Sequence, residues 1–317
     1  MSSASGGEER KGTRRSKVAS LRYYLAFQIE LIGHHDIEVR GYKLSLPVAA
    51  LVHSSIEADA SLFWDRAFAD GTGILSSVPE RVPWEQAKAA LNRKFLSLMQ
   101  EVQEAKDTKA SLLHPRSITS DNMEHLALRL DVSNNMLSKK NFFAKMVANK
   151  LDKDGKPTPC PFYEWFYRCA AMTNKYMQEQ WNDGLVDGFC SKDRAEAQLQ
   201  TSSAPTMLIR FSDVIFGHLK LSCRLADGKI VHYEAEADAM PAGTTIANAI
   251  RSNPTFSSIS YVFPNEPLAR IWEGKDSCRE KKASETRSQV YSTWTSLPPD
   301  YFASTLILEN KPVAAKH

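Results

Sequence analysis

The chain has 317 residues, 43% of them hydrophobic, and a formal net charge of +3. That length calls for two or three domains with ordinary cores, and so small a charge argues neither for nor against a nucleic-acid partner. Five scattered cysteines (Cys160, Cys169, Cys190, Cys223, Cys278) without a CxxC pair fit a reducing cytosol or nucleus better than a disulfide framework, no apolar run approaches the roughly 20 residues of a membrane span, and no signal peptide is expected.

Residues 1–17 are Ser, Gly, Glu, Arg and Lys with almost nothing apolar, which predicts a disordered arm. Its Arg10, Lys11, Arg14, Arg15 and Lys17 read first as a solvated tail; contact with an anionic backbone or an import signal is the alternative. Residues 21–53 read as strands, with turns at Gly33-His34-His35-Asp36 and near Gly41, then a buried run over 46–52. Two or three strands are too few to close a sandwich, so an open core face is expected. A polar turn explains His34-His35-Asp36 better than a metal site. An amphipathic segment, ADASLFWDRAFAD, then breaks at Gly71-Thr72-Gly73, which is no P-loop because no Gly-Lys follows.

Residues 83–180 read as helices. Pro83 suits a first helical turn, and Trp84, Ala87, Leu91, Phe95 and Leu98 recur at helical spacing. A second helix starts after Ser120-Asp121, with Met123, Leu126, Ala127 and Leu130 as its apolar face, and a third is expected over 141–151. After the turn-rich Asp152-Lys153-Asp154-Gly155-Lys156-Pro157, Cys160-Pro161-Phe162-Tyr163-Glu164-Trp165-Phe166 opens a last helix running into Gln180. These aromatic stripes read as core.

The most informative stretch is 181–217. On a strand through Met207-Leu208-Ile209-Arg210-Phe211-Ser212-Asp213, alternation puts Met207, Ile209 and Phe211 on the core face and Leu208, Arg210 and Ser212 on the other. An arginine beside a hydroxyl at a strand end binds phosphate well. Upstream, Ser191 is an N-cap candidate for a short helix whose Lys192 offers a second positive charge. The alternative is an edge strand whose arginine pairs with a local acid. Beyond it, Ala226-Asp227-Gly228-Lys229 is a hairpin turn between strands near 218–224 and 230–235, and 244–251 reads as a helix.

WNDG, then GF-x-SK, then LIRFSD resembles, in order and spacing, the phosphotyrosine-binding Src-homology-2 (SH2) domain of the STAT transcription factors. The resemblance implies that Arg210 grips phosphate, that Lys192 joins it, and that Ser212 and Asp213 begin the phosphate-binding loop. The chain departs from the family at Val214, where a serine is common, and at Ala204-Pro205-Thr206-Met207, which lacks the family's glycine. Lys229-Ile230-Val231-His232-Tyr233 resembles a segment of other phosphotyrosine domains whose histidine lines the pocket, making His232 a candidate. The helical region is similar to the STAT linker domain. Phe27-Gln28-Ile29, Leu46-Pro47-Val48 and Ala60-Ser61-Leu62-Phe63-Trp64 resemble the end of the family's DNA-binding barrel, which implies weak DNA contacts at Gln28 and Thr72.

The implied fold class is α+β and multidomain. It comprises a disordered basic arm (1–17), a partial immunoglobulin-like DNA-binding β domain (18–78), a helical linker (79–180), an SH2 domain with an antiparallel sheet flanked by helices (181–274), and a flexible tail (275–317). In the tail, Pro298-Pro299-Asp300-Tyr301 precedes a strand-prone run, and Tyr301 resembles the family's activating tyrosine, with Tyr291 second. The implied partners are phosphotyrosine peptides of receptors or adaptors, a tyrosine kinase, a second phosphorylated copy, and DNA, in cytoplasm and nucleus. No catalytic constellation, cofactor or resident metal is expected. The alternative is a cytoplasmic phosphotyrosine-binding adaptor that does not touch DNA.

Overall fold

The structure, a computed structural model, describes residues 22–32, 38–49, 55–69, 77–100, 115–202, 205–237 and 245–273. The chain divides into two compact units, with the boundary between Ser77 and Val78.

In the first unit, β1 (Ala26–Ile32) and β2 (Glu38–Leu44) pair antiparallel from Ala26 opposite Leu44 to Ile32 opposite Glu38. Gly41 lies inside β2 opposite Ile29, so no turn forms there and the ladder runs through it without a break. A Tyr23–Val48 bridge extends the pairing. Helix α1 (Ile56–Phe68) is capped by the Ser55 hydroxyl and buries Ala58, Ala60, Leu62, Trp64 and Phe68. Arg22 ties the strand side of this unit to α1, with Nε 2.8 Å from Asp65 Oδ2 and Nη2 2.7 Å from Ser61 Oγ. Tyr23, Leu25 and Phe27 alternate along the chain, and all three are about half exposed or more. Among the described residues this unit is a two-stranded sheet with a helix.

The second unit opens with β3 (Arg81–Pro83) and α2 (Trp84–Gln100). Pro83 closes the strand rather than opening the helix, while Trp84, Ala87, Leu91, Phe95 and Leu98 are all buried as their spacing predicts. Helix α3 (Ser120–Arg129) takes Thr119 as its cap and buries Met123 and Leu126. The region is not wholly helical. Strand β4 (Met136–Ser138) pairs with β3, α4 (Lys139–Ala144) lasts barely more than a turn, and β5 (Met146–Leu151) pairs with β6 (Pro157–Pro161). The helix expected over 141–151 loses to a hairpin because its tip is strongly specified. Asp152 Oδ1 accepts the amides of Asp154 and Lys156 at 2.9 and 2.8 Å, and Gly155 sits at φ +75°. Helix α5 (Phe162–Tyr176) stops at Met177, whose φ of −149° breaks it before α6 (Gln178–Asn182).

After α7 (Lys192–Thr201) come β7 (Thr206–Phe211), β8 (His218–Arg224) and β9 (Ile230–Glu236), then α8 (Ile246–Ser252), a 3-10 turn (Pro254–Phe256), β10 (Tyr261–Val262), β11 (Glu266–Pro267) and α9 (Arg270–Glu273). The strands form one five-stranded sheet in the order β11-β10-β7-β8-β9. The expectation of an antiparallel sheet needs one correction, since β10 runs parallel to β7; the long excursion through α8 supplies the crossover that a parallel neighbour needs. β7 is the middle strand and not an edge, and all its residues are buried. On one face, Phe211 meets Phe189 and Trp181 at 4.8 and 6.1 Å, and Phe189 continues to Phe166 at 5.7 Å and Phe95 at 6.0 Å. On the other, Leu208 packs with Cys190, Ala195 and Leu199, which seats α7 on the sheet.

Candidate functional site

The strand register aligns the face beneath α7. Leu208, Ser222 and His232 form one row across β7, β8 and β9, and Arg210, Lys220 and Glu234 form the next. Arg210 therefore lies on the face opposite Phe211, as alternation predicts. Its side chain is 3% exposed, and its Nη1 donates to the Cys190 carbonyl at 3.1 Å and to Asp213 Oδ1 at 3.2 Å. Its Nε is buried and has no partner among the described residues. Arg129 and Arg270 also hold a buried Nε without a partner among the described residues, but at Arg210 the spare donor lies on the sheet face beneath α7, where it suits bidentate capture of an anion. The local-acid pairing offered as the alternative is real, but it belongs to a central strand and leaves this donor unused.

Ser191 caps α7, its hydroxyl accepting the Arg194 amide at 3.2 Å. The cap fixes Lys192 in the first turn, where its Nζ lies 3.6 Å from Glu196 Oε1, one turn along. The same oxygen is 2.8 Å from His232 Nε2, and His232 Nδ1 is 2.9 Å from Ser222 Oγ. Lys192 and His232 thus converge on a single carboxylate, while Arg210 is joined to Asp213. Ser212 is buried, and its hydroxyl accepts the amides of Val214 and Ile215 at 3.4 and 3.0 Å. Neither bond uses its own hydrogen, which is left to donate. Val214, at the departure from the family pattern, is 53% exposed.

Several residues of this neighbourhood carry no mark in the sequence. The loop after β7 is held by side chains distant in the chain. Trp165 Nε1 donates to the Ser212 carbonyl at 2.8 Å, and Arg129 Nη2 donates to the Asp213 carbonyl at 2.8 Å and also to that of Val147. Asn149 donates its amide to the Val214 carbonyl and accepts that of Phe216, both at 2.8 Å. Helix α3 brings up His125, 8% exposed and with an unpartnered Nε2. Burial and the Arg129, Arg210 and Arg194 guanidiniums press its pKa down to about 4, against an upward pull from Asp213. Asp121 of α3 pairs with Arg194. Burial likewise pushes the Asp187 carboxyl up.

Gly188 shows why this corner admits no side chain. It sits at φ +97°, and a Cβ there would lie 2.6 Å from Asn122 Oδ1 and 2.8 Å from the Trp181 ring. That close approach lets the Gly188 carbonyl accept the Phe211 amide and Asn122 Oδ1 accept the Phe189 amide at 3.1 Å. Arg116 braces the same corner. It stacks on Trp181 at 4.1 Å and donates to the carbonyls of Trp181 and Val186 at 2.8 and 2.6 Å.

The remaining sequence candidates stand apart. Gln28 is exposed on β1 opposite Tyr42. Thr72, Tyr291, Tyr301 and the His34-His35-Asp36 turn lie outside the described residues.

No family model matches the chain. Over 274 residues it is 34% identical to "Signal transducer and activator of transcription b" of Caenorhabditis elegans, a match covering 84% of this chain. The chain spans 48% of that relative's length, about half. Among solved structures, "Inactive choanoflagellate E3 ubiquitin ligase Cbl TKB" matches over 75% of this chain and 56% of that one, at 15% identity and a TM-score of 0.24, too low to bear on the fold.

Proposed function

This chain belongs to the STAT family, the signal transducers and activators of transcription, and from that membership we propose that it is a signal transducer and transcription factor working through phosphotyrosine. In this reading 181–274 is an SH2 domain, 79–180 its linker, 18–78 the end of an immunoglobulin-like DNA-binding domain, and 275–317 a tail carrying the phosphorylated tyrosine. Arg210 is the phosphate ligand, with Lys192, His232, Ser212 and Asp213 around it. One observation carries the reading: Arg210 is buried at the centre of a sheet with Nε unpartnered. A phosphotyrosine brings about −1.5 to −2 charge and three acceptor oxygens to such a group. A tyrosine kinase modifies Tyr301, or secondarily Tyr291, and two phosphorylated copies exchange tails. The second contact is then effectively intramolecular, which multiplies avidity. The dimer acts in the nucleus after assembly in the cytoplasm.

The test is calorimetric binding of a phosphotyrosine peptide to the full chain and to Arg210→Ala. Truncating one partner of a desolvated charged pair costs about 2–5 kcal/mol, so affinity should fall at least about thirtyfold while circular dichroism stays unchanged. Equal binding by a folded variant overturns the reading.

A second reading, a phosphotyrosine adaptor without DNA binding of its own, is favoured by Arg22. Phosphate contacts dominate duplex affinity, and this cation of the first unit is already engaged with Asp65 and Ser61. A gel shift of the tyrosine-phosphorylated chain on palindromic duplex separates the two. A sequence-selective, nanomolar complex at physiological salt excludes the adaptor.

A further inference from the structure

Lys192 and His232 share one occupant. Glu196 Oε1 lies 2.8 Å from His232 Nε2 and 3.6 Å from Lys192 Nζ. The imidazole is fixed from its other side by Ser222 Oγ at 2.9 Å, and Ser222 is fully buried. This is the donor set that an anionic oxygen of a ligand would take: an ammonium and a ring N–H aimed at one point from two elements, α7 and β9. The carboxylate filling that point comes from the protein itself, four residues after Lys192 on the same helix. The hydrogen bond from His232, with Lys192 nearby, holds the Glu196 carboxyl below its ordinary range, so it is ionised at neutral pH. The Glu196 side chain is 34% exposed, which leaves it an open route to water if displaced.

We propose that Glu196 is an internal competitor for the ligand phosphate, an affinity-setting residue whose carboxylate must be displaced from Lys192 and His232 before a phosphotyrosine can engage them. The proposal rests on the reading of this face as a phosphotyrosine site and adds what a ligand must displace there. Displacement exchanges one anion for another. A phosphate monoester, carrying up to two charges, gains attraction over the carboxylate it replaces. A sulfate ester carries one charge and gains none. Opening the Glu196 contact costs the same whichever anion enters, so it lowers the affinity of both by one factor: a dianion still binds, and a monoanion of the same shape is left with no net gain.

The experiment compares three peptides of one sequence, bearing phosphotyrosine, sulfotyrosine or plain tyrosine, on the full chain and on Glu196→Gln, with Arg210→Ala as control. Glutamine keeps the size and removes the charge. Wild type should prefer phosphotyrosine strongly over sulfotyrosine. Glu196→Gln should tighten phosphotyrosine and sulfotyrosine by the same factor, about two- to fivefold, leaving the ratio between them unchanged, with plain tyrosine still unbound. In wild type, the His232 Nε2 resonance should move when the phosphopeptide is added. If Arg210→Ala abolishes binding but Glu196→Gln leaves both affinities unchanged, or weakens both ligands, Glu196 orients Lys192 and His232 and the competitor role is wrong. If Arg210→Ala binds as wild type, the phosphotyrosine reading fails and this inference falls with it.

Discussion

His125 is a neutral imidazole kept among three guanidiniums, and that placement makes stability depend on acidity. Its pKa falls from 6.5 to about 4 on folding because burial and the Arg129, Arg210 and Arg194 charges oppose protonation. Between those values the unfolded chain binds the proton more readily than the folded one. Stability is therefore whole above 6.5, declines as pH falls, and is lost in full below about 4, by about 3 kcal/mol. Asp187 works the other way, since its raised pKa favours the folded state in acid. The contribution of His125 is isolated by urea midpoints of wild type and His125→Gln at pH 7.5, 5.5 and 4.5, where the decline should flatten in the variant. Parallel declines would mean that the proton goes elsewhere.

At the scale of elements, the loop from Ser212 to Gly217 is not free to find its own shape. The indole of Trp165, the guanidinium of Arg129 and the backbone of Asn149 hold four of its backbone groups. Trp165→Phe removes one N–H and little volume. It should cost about 1–2 kcal/mol and raise hydrogen exchange at the Val214 and Ile215 amides, which bond to Ser212 Oγ; unchanged exchange would assign the loop's order to its own turn. The β7 strand, the Ser191 cap and the hairpin turn at Ala226–Lys229 were legible because each is a local signal, a period of two, a hydroxyl before a helix, a glycine at a tip. The braces were not. Arg129 meets the Asp213 carbonyl across 84 residues of chain, and an arginine at a helix end looks the same whether it faces water or a loop. Trp165 read as core, which it is, but its N–H has a second use. Glu196 is spaced from Lys192 as any surface ion pair would be, and only the register that lifts His232 beneath it makes it part of a site. The first strand of the 146–161 hairpin reads as helix because its own residues carry no strand period, and the Asp152 and Gly155 that fix its tip come after it.

Across the whole second unit, the boundary proposed near residue 180 crosses no seam in the packing. Phe95 and Phe166 lie before it, Trp181, Phe189 and Phe211 after it, and their rings form one chain of contacts. Arg116 spans it too, with bonds to the carbonyls of Trp181 and Val186. A shared core predicts shared unfolding, so the segments before and after residue 180 should melt together and neither should fold when cut apart there. The four buried cysteines among the described residues turn this into a chemical clock. Burial pushes the thiols of Cys160 and Cys223 up to about 12 and raises those of Cys169 and Cys190 as well. Only a thiolate attacks an alkylating reagent, so these sulfurs stay silent until the surrounding structure opens. Two of them precede residue 180 and two follow it. Peptide-resolved iodoacetamide labelling across a urea series should start all four at one midpoint, whereas an earlier start for Cys190 and Cys223 would mean that the sheet opens while the helices still hold.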